Sequence, residues 1–186
     1  KNIMIALKVI SLLGYDVSKA LNDISSFKGL EHRMEFVGVF KDIKFFNDTI
    51  ATIPEATINA CKTIDDLDTL IFGGLDRGIN YTQLLDYLVK SSVPHIILMS
   101  DSGKRILAEA EAYPDSLRSR MQYAADLPEA VAIAKRITEK GRICLMSPAA
   151  ASYNVYQNFE KRGEHFKQLE KFLKQRESAL ANERER

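Results

Sequence analysis

Apolar residues recur along this chain in two alternating rhythms, and the alternation sets the architecture. Residues 2–13 place Ile3, Leu7, Ile10 and Leu13 on one helical stripe, with Gly14 as the C-terminal stop. Asp16 is placed to cap a second helix over roughly 17–25. Phe27-Lys28-Gly29-Leu30 reads as a linker. A β-rich stretch follows: Met34 to Phe40 and Ile43 to Phe46, separated by Lys41-Asp42, predict a hairpin. Thereafter helix and strand alternate. Helices are expected at Pro54–Lys62, with proline in the first turn, at Tyr81–Ser91, Gly103–Ala112 and Pro128–Thr138, and from Asn154 onward. Strands are expected at Asp68–Phe72, His95–Met99, Met121–Ala124 and Ile143–Met146. Phe166, Leu169, Phe172 and Leu173 form an apolar stripe on the last helix, and the Glu- and Arg-rich end is expected to fray.

Strands separated by helices of about ten residues indicate an α/β fold: a Rossmann-like, mostly parallel sheet with helices on both faces and an N-terminal β-hairpin. The runs at 70–72, 96–99 and 143–146 are apolar without interruption, as strands covered on both faces require. Ligands of such sheets sit beyond the carboxyl ends of the strands. That directs attention to Asn47-Asp48, Gly73 to Gly78, Ser100-Asp101 and Ser147 to Ser152.

Composition narrows the classes. The 186 residues are 46% hydrophobic and 27% charged, with a net charge of +1, ordinary for a globular chain with a sizeable core. Lys and Arg are not massed on one stretch, so nothing calls for nucleic acid or an anionic membrane. No apolar run approaches the about 20 residues of a spanning helix, and no signal peptide opens the chain. Cys61 and Cys144 lie in apolar stretches without metal or redox spacing, which favours buried thiols and a cytoplasmic setting over a disulfide. The start at Lys1-Asn2, straight into a helical pattern, is expected of a piece of a longer chain.

Three segments carry candidate chemistry. In Asn47 to Thr57 a carboxylate at a strand end, Asp48, can accept ribose hydroxyls or hold a metal; Thr52, just before Pro54, can offer a hydroxyl to a ligand; both can equally be turn and capping residues. In Gly73-Gly74-Leu75-Asp76-Arg77-Gly78 the glycines permit positive φ and close backbone approach, and Arg77 can fork onto a carboxylate or phosphate or simply be solvated. Ser147-Pro148-Ala149-Ala150-Ala151-Ser152 is a small-residue turn at a strand's carboxyl end. A helix starting there would favour an anion, and Ser152 can donate to it or cap the helix. The chain has no Walker A motif, no metal-ligand cluster and no nucleophile elbow. Arg33, beside His32, can reach a ligand or pair with Glu31 or Glu35. His95 reads as structural and His165 as surface.

Together these blocks resemble the C-terminal domain of the Mur ligases. They are Gly29-Leu30-x-His32-Arg33-x-Glu35, Asn47-Asp48-Thr49-x-Ala51-Thr52, Gly73-Gly74-x-x-Arg77-Gly78, Leu145-Met146-Ser147-Pro148-Ala149-x-Ala151-Ser152 and Asn158-Phe159-Glu160-Lys161-Arg162-Gly163-x-x-Phe166. The branch that joins D-glutamate to UDP-N-acetylmuramoyl-L-alanine is the most similar, and a branch that adds L-glutamate is also similar. The resemblance implies domains at 1–27, the end of the ATP-binding central domain, and 28–186, the C-terminal domain. It implies an ATP-dependent, amide-forming reaction through an acyl phosphate, with ATP and Mg²⁺ held mainly by a central domain. It also implies roles: Asn2, Arg33 and Asp48 at ATP, and Thr52, Arg77, Ser152 and Phe159 at glutamate, Phe159 through its backbone. No catalytic residue and no metal ligand is expected within this chain, and the chain alone is expected to be inactive. Two positions depart from the pattern: Ile50 stands where the D-glutamate branch usually has Lys, and Arg77 where it often has Lys.

Overall fold

The computed structural model describes residues 2–24, 26–27 and 29–169. The chain divides into two compact units, Lys1–Leu30 and Glu31–Arg186; the sequence had placed the division at 27/28. The first unit is a helical pair, α1 (Asn2–Leu12) and α2 (Val17–Ile24). Gly14 takes φ 77° between them. Asp16 caps α2 by accepting from the Ser18 N–H at 2.8 Å. Ile3, Met4, Ile5, Val9 and Leu12 are exposed, since two short helices build no core of their own.

The second unit is the α/β domain. Its strands are β1 (Glu35–Phe40), β2 (Ile43–Asn47), β3 (Leu67–Gly73), β4 (His95–Met99), β5 (Met121–Ala124) and β6 (Ile143–Met146). They form one six-stranded sheet in the order β1-β2-β6-β3-β4-β5. β1 pairs antiparallel with β2, and every other pairing is parallel. Lys41 and Asp42 both have positive φ, 48° and 65°, the two-residue primed turn that matches strand twist. The hairpin thus falls where the polar pair interrupts the apolar run.

The helices are α3 (Pro54–Cys61), α4 (Thr82–Lys90), α5 (Ser100–Glu109), α6 (Asp115–Arg118), α7 (Leu127–Ile137) and α8 (159–169), with a 3₁₀ turn at Ala110–Ala112. They cover both faces. Leu70, Phe72, Ile96, Leu98 and Leu145 point to one core with Ile58, Leu84, Leu88 and Ile106. Ile71, Ile97, Met99, Cys144 and Met146 point to the other with Leu127, Val131, Ala134 and Phe166. The period of two splits each apolar strand between the cores. Each fully buried Leu, Ile or Phe contributes about 1.5–3 kcal/mol.

Two expectations shift. α5 begins at Ser100 rather than Gly103, because Ser100 itself adopts φ 60° and turns the chain directly off β4. The last helix begins at 159, not 154, because 153–158 fold as turns: the N–H groups of Val155 and Tyr156 both donate to the Ser152 carbonyl. Asn158 then caps α8, accepting from the Lys161 N–H at 2.8 Å. Phe172, Leu173 and the Glu- and Arg-rich end lie outside the described residues, as does residue 25 of the second expected helix. Among the described residues no helix is long and apolar enough to cross a membrane.

Candidate functional site

The carboxyl ends of β2, β6 and β3 lie side by side, and three loops leave them together. After β2 the Asp48 N–H donates to the Met146 carbonyl at 2.8 Å, which carries the ladder one residue past the strand. The chain then turns, with the Ala51 N–H on the Asp48 carbonyl at 2.9 Å, and enters α3. This turn walls an open cavity of about 450 Å³ lined by Arg33, Met34, Asp48, Ile50, Thr52 and Asn59 among others. Asp48 is buried. One carboxylate oxygen accepts from the Met34 N–H at 3.2 Å, the other from the Ser147 hydroxyl at 2.8 Å. Burial pushes its carboxyl upward in pKa, and these donors and the Arg33 charge only partly oppose that.

The turn reading holds for Asp48, whose two carboxylate oxygens bind donors of neighbouring segments, but the capping reading fails for Thr52. The N-cap position of α3 is Ile53, with no side-chain cap, so Thr52 does not cap it. Among the described residues the Thr52 hydroxyl makes no hydrogen bond and Arg33 is exposed, leaving both available to a ligand. Thr52, expected with the amino-acid pocket, shares its cavity with Arg33 and Asp48, two of the three residues expected at the nucleotide.

The loop after β6 runs against the loop after β3. The Gly73 N–H donates to the Pro148 carbonyl at 2.8 Å, and the Leu75 N–H to the Ala151 carbonyl at 2.9 Å. The glycines are explained by this neighbour rather than by a ligand. A Cβ on Gly73 would lie 2.2 Å from the Met99 carbonyl oxygen, and one on Gly74 2.4 Å from that of Ala151. The positive φ and close backbone approach expected at Gly73-Gly74 are both present, Gly73 at φ 120° and the approaching backbone being the protein's own. The expected helix N-terminus at the Ser147 turn is absent, since α8 starts seven residues after Ser152.

Ser152 is buried and lines a small cavity of about 20 Å³, room for one water, with Gly74, Met99, Ser100, Tyr156 and Arg162. Arg77 is exposed two residues beyond the Leu75–Ala151 bridge. Its neighbour Asp76 is held by a bidentate fork from Arg105 (2.7 and 3.0 Å), which holds the Asp76 carboxyl below the usual range. Among the described residues no hydrogen bond or ion pair engages the Arg77 guanidinium. The loops of Arg77 and Ser152 are thus bonded neighbours, but Arg77 lines neither cavity.

Phe159 is half-buried at the start of α8. Its carbonyl accepts from the Thr49 hydroxyl at 3.1 Å, and its N–H, in the first helical turn, has no intrahelical partner. Its ring meets His32 edge-on at 6.2 Å. His32 is buried at φ 63°. The Asn47 side-chain carbonyl accepts from the Thr49 N–H, so the Asn47 amide donates to His32 Nδ1 and to Glu35, both at 3.0 Å. His165, expected at the surface, is half-buried with Nδ1 2.7 Å from the Tyr156 hydroxyl. Asn2 lies in α1 of the first unit.

The residue that sequence reading passed over is Arg162. It is only 1% exposed. Its Nε donates to the Thr49 hydroxyl at 2.9 Å and one terminal nitrogen to the carbonyls of Thr49 and Ala150, both at 3.0 Å. Its available signal was its place in the Asn158–Phe166 motif block, three residues past Phe159, where it was given no role of its own. Among the described residues no group of three or more His, Cys, Asp or Glu is placed to hold a metal ion.

Comparison with known proteins gives the chain's relatives. The model of the Mur ligase glutamate ligase domain matches residues 32–150. A UDP-N-acetylmuramoyl-L-alanine–L-glutamate ligase of Salinispora tropica is 38% identical over 172 residues, covering 90% of this chain and 38% of its own length. A UDP-N-acetylmuramoylalanine–D-glutamate ligase of Geotalea uraniireducens is 37% identical, covering 92% of this chain and 37% of its own. Among solved structures, the UDP-N-acetylmuramate–alanine ligase of Thermotoga maritima aligns with 96% of this chain and 37% of its own, at a TM-score of 0.60 and 19% identity. An ADP complex of Mycobacterium tuberculosis folylpolyglutamate synthase aligns with 87% and 37%, at 0.60 and 14%. These two show the shared fold. The chain spans somewhat over a third of the length of the curated relatives it matches. On the residues matched and the identity over nine-tenths of its length, the chain belongs to the Mur ligase family, whose glutamate ligase domain it contains.

Proposed function

We propose that this chain is the amino-acid-binding and closing domain of an ATP-dependent ligase that adds glutamate to UDP-N-acetylmuramoyl-L-alanine in cytoplasmic peptidoglycan synthesis. The observation that carries the reading is the cavity beyond β2, where Arg33, Asp48 and Thr52 meet with the guanidinium and the Thr52 hydroxyl uncommitted. Its dimensions and polar lining suit the sugar and phosphate side of a nucleotide. There Arg33 and the Asp48 carboxylate meet the ribose region of the nucleotide, as the family resemblance implies. Mg²⁺ would be held mainly by a central domain of the complete enzyme, as the family resemblance implies.

Glutamate has two carboxylates and one amine, so its site needs two anion contacts and room for the amine to reach the activated acyl group. Ser152 and the first-turn N–H of Phe159 are assigned to one carboxylate, which the one-water cavity beside Ser152 must widen to admit; Arg77, exposed on the adjoining loop, is assigned to the other. Thr52, on the nucleotide side, then stands between amino acid and phosphate. These residues orient the amine and exclude competing poses, which is catalysis by positioning. The residues that activate the carboxylate belong to the central domain, so the chain alone turns nothing over.

The test is an ATP-dependent phosphate-release assay of the full-length protein with UDP-N-acetylmuramoyl-L-alanine, with D- and L-glutamate side by side, and of this chain alone. Relatives named for each enantiomer are almost equally similar, which makes the pairing necessary. Arg77→Ala should raise the glutamate KM by about tenfold or more, the value of a charged hydrogen bond of roughly 1.5–3 kcal/mol, and leave the KM for the UDP substrate alone. An unchanged glutamate KM removes Arg77 from the site. Turnover by this chain alone overturns the division of labour.

A further inference from the structure

Arg162 is a buried cation with no carboxylate paired to it among the described residues. Its fork is spent on three neutral acceptors: the Thr49 hydroxyl and carbonyl on the loop after β2, and the Ala150 carbonyl on the loop after β6. Its other terminal nitrogen, Nη1, is buried without a hydrogen-bond partner, and a Cβ on Gly74 would lie 3.0 Å from it, which places it against the loop after β3. Burial without a counter-charge lowers its pKa to about 10, so the side chain still carries its charge at neutral pH. A guanidinium is costly in such a place, and a packing role alone would be met by an apolar side chain of similar length.

The backbone atoms it grips explain the choice. Thr49 follows Asp48 directly and leads to Thr52; Ala150 lies two residues before Ser152. One terminal nitrogen bridges the two carbonyls while Nε, fixed in the same plane, takes the Thr49 hydroxyl, so the planar group sets all three acceptors at once, which a point charge does not. We infer that Arg162 is a positioning residue: it fixes the loop that forms the Asp48–Thr52 cavity against the Ser152 turn, so that both ligand sites share one geometry. The inference rests on the assignment of those two loops to nucleotide and amino acid, but its structural half is measured without either ligand.

The first arm is hydrogen exchange on this chain. In Arg162→Met the N–H groups of Ala51, Gly73 and Leu75, bonded within or between these loops, should exchange at least tenfold faster, with those of Leu70, Phe72 and Leu98 unchanged. Unchanged loop exchange, or equal acceleration throughout the sheet, overturns the inference. The second arm is kinetics of the full-length protein. Arg162→Met and Arg162→Lys should both raise the KM for ATP and for glutamate, by about tenfold in the Met variant, with the KM of the UDP substrate within twofold. Wild-type behaviour of the Lys variant overturns the role of the fork. If the wild-type enzyme uses neither enantiomer of glutamate, the functional assignment fails, and the exchange arm still decides the positioning role.

Discussion

Replacing Gly163 with alanine tests how tightly α8 is seated on the loop after β2. A Cβ at this position would lie 2.3 Å from His32 Nδ1 and 2.7 Å from Thr49 Cγ2. Neither neighbour can yield. His32 is buried at positive φ, with Nδ1 accepting from Asn47. Thr49 is buried, with its hydroxyl donating to the Phe159 carbonyl and accepting from Arg162. The helix must therefore move off the loop. Inserted carbon in a packed interior costs about 1–3 kcal/mol, and with both neighbours pinned the upper end applies. Against this, alanine in place of glycine favours the helix by about 1 kcal/mol. The net is a loss of about 2 kcal/mol, or a fall in Tm of roughly 4–8 °C for a chain of this length. Thermal unfolding followed by circular dichroism reads it directly. The cause is isolated by a double-mutant cycle with His32→Ala, which vacates the space: the pair should be less destabilised than the sum of the singles by about 1 kcal/mol or more. An unchanged or raised Tm in Gly163→Ala would show that helix propensity outweighs the contact and that α8 is not locked to His32.

Two further outcomes follow from buried ionisable groups. The Asp48 carboxyl titrates above its ordinary 3.8 because it is buried, so its charged form costs stability, and that cost sets in as pH rises through its folded pKa. Asp48→Asn, which turns an amide nitrogen toward one of these donors at every pH, should therefore gain stability relative to the wild type as pH rises from below 3.8 to 7, and should impair ATP use in the full-length protein; a Tm difference that does not change with pH contradicts this. The thiols of Cys61 and Cys144 are free and buried, with burial pushing Cys61 up to about 12 and Cys144 further. Native protein should resist iodoacetamide over a period in which denatured protein is fully modified, and rapid labelling of either residue by mass spectrometry would refute that.

Local pattern was enough for the elements and for the covering of the sheet. The Lys41-Asp42 interruption, the proline at 54 and the uninterrupted runs at 70–72 and 96–99 each state a conformational preference within a few residues, and each appears where it was expected. The α/β class and the family followed from these elements together with the spacing of the motif blocks. The site was legible only as a set of loops. Asp48, Thr52, Arg77 and Ser152 could be named because strand ends in such sheets bear ligands, but a turn residue and a ligand-binding residue have the same local signature.

Which residue does which was decided by contacts far apart in the chain. The Gly73-Gly74 pair makes room for the backbone of Met99 and Ala151, 26 and 77 positions on, and no window around the glycines contains that information. Thr52 falls beside Arg33 and Asp48 because β1 and β2 are paired, and the Ser147 turn lacks a helix because the Ser152 carbonyl draws in the next two N–H groups it meets. Arg162 is the clearest case. In the sequence it is one charge among many on an outwardly polar helix; in the fold its acceptors lie 113 and 12 residues away, and its charge is shut from water. Periodicity is a local property and the sequence determines it alone, whereas burial and hydrogen-bond partnership exist only once the sheet order β2-β6-β3 brings three loops to one edge.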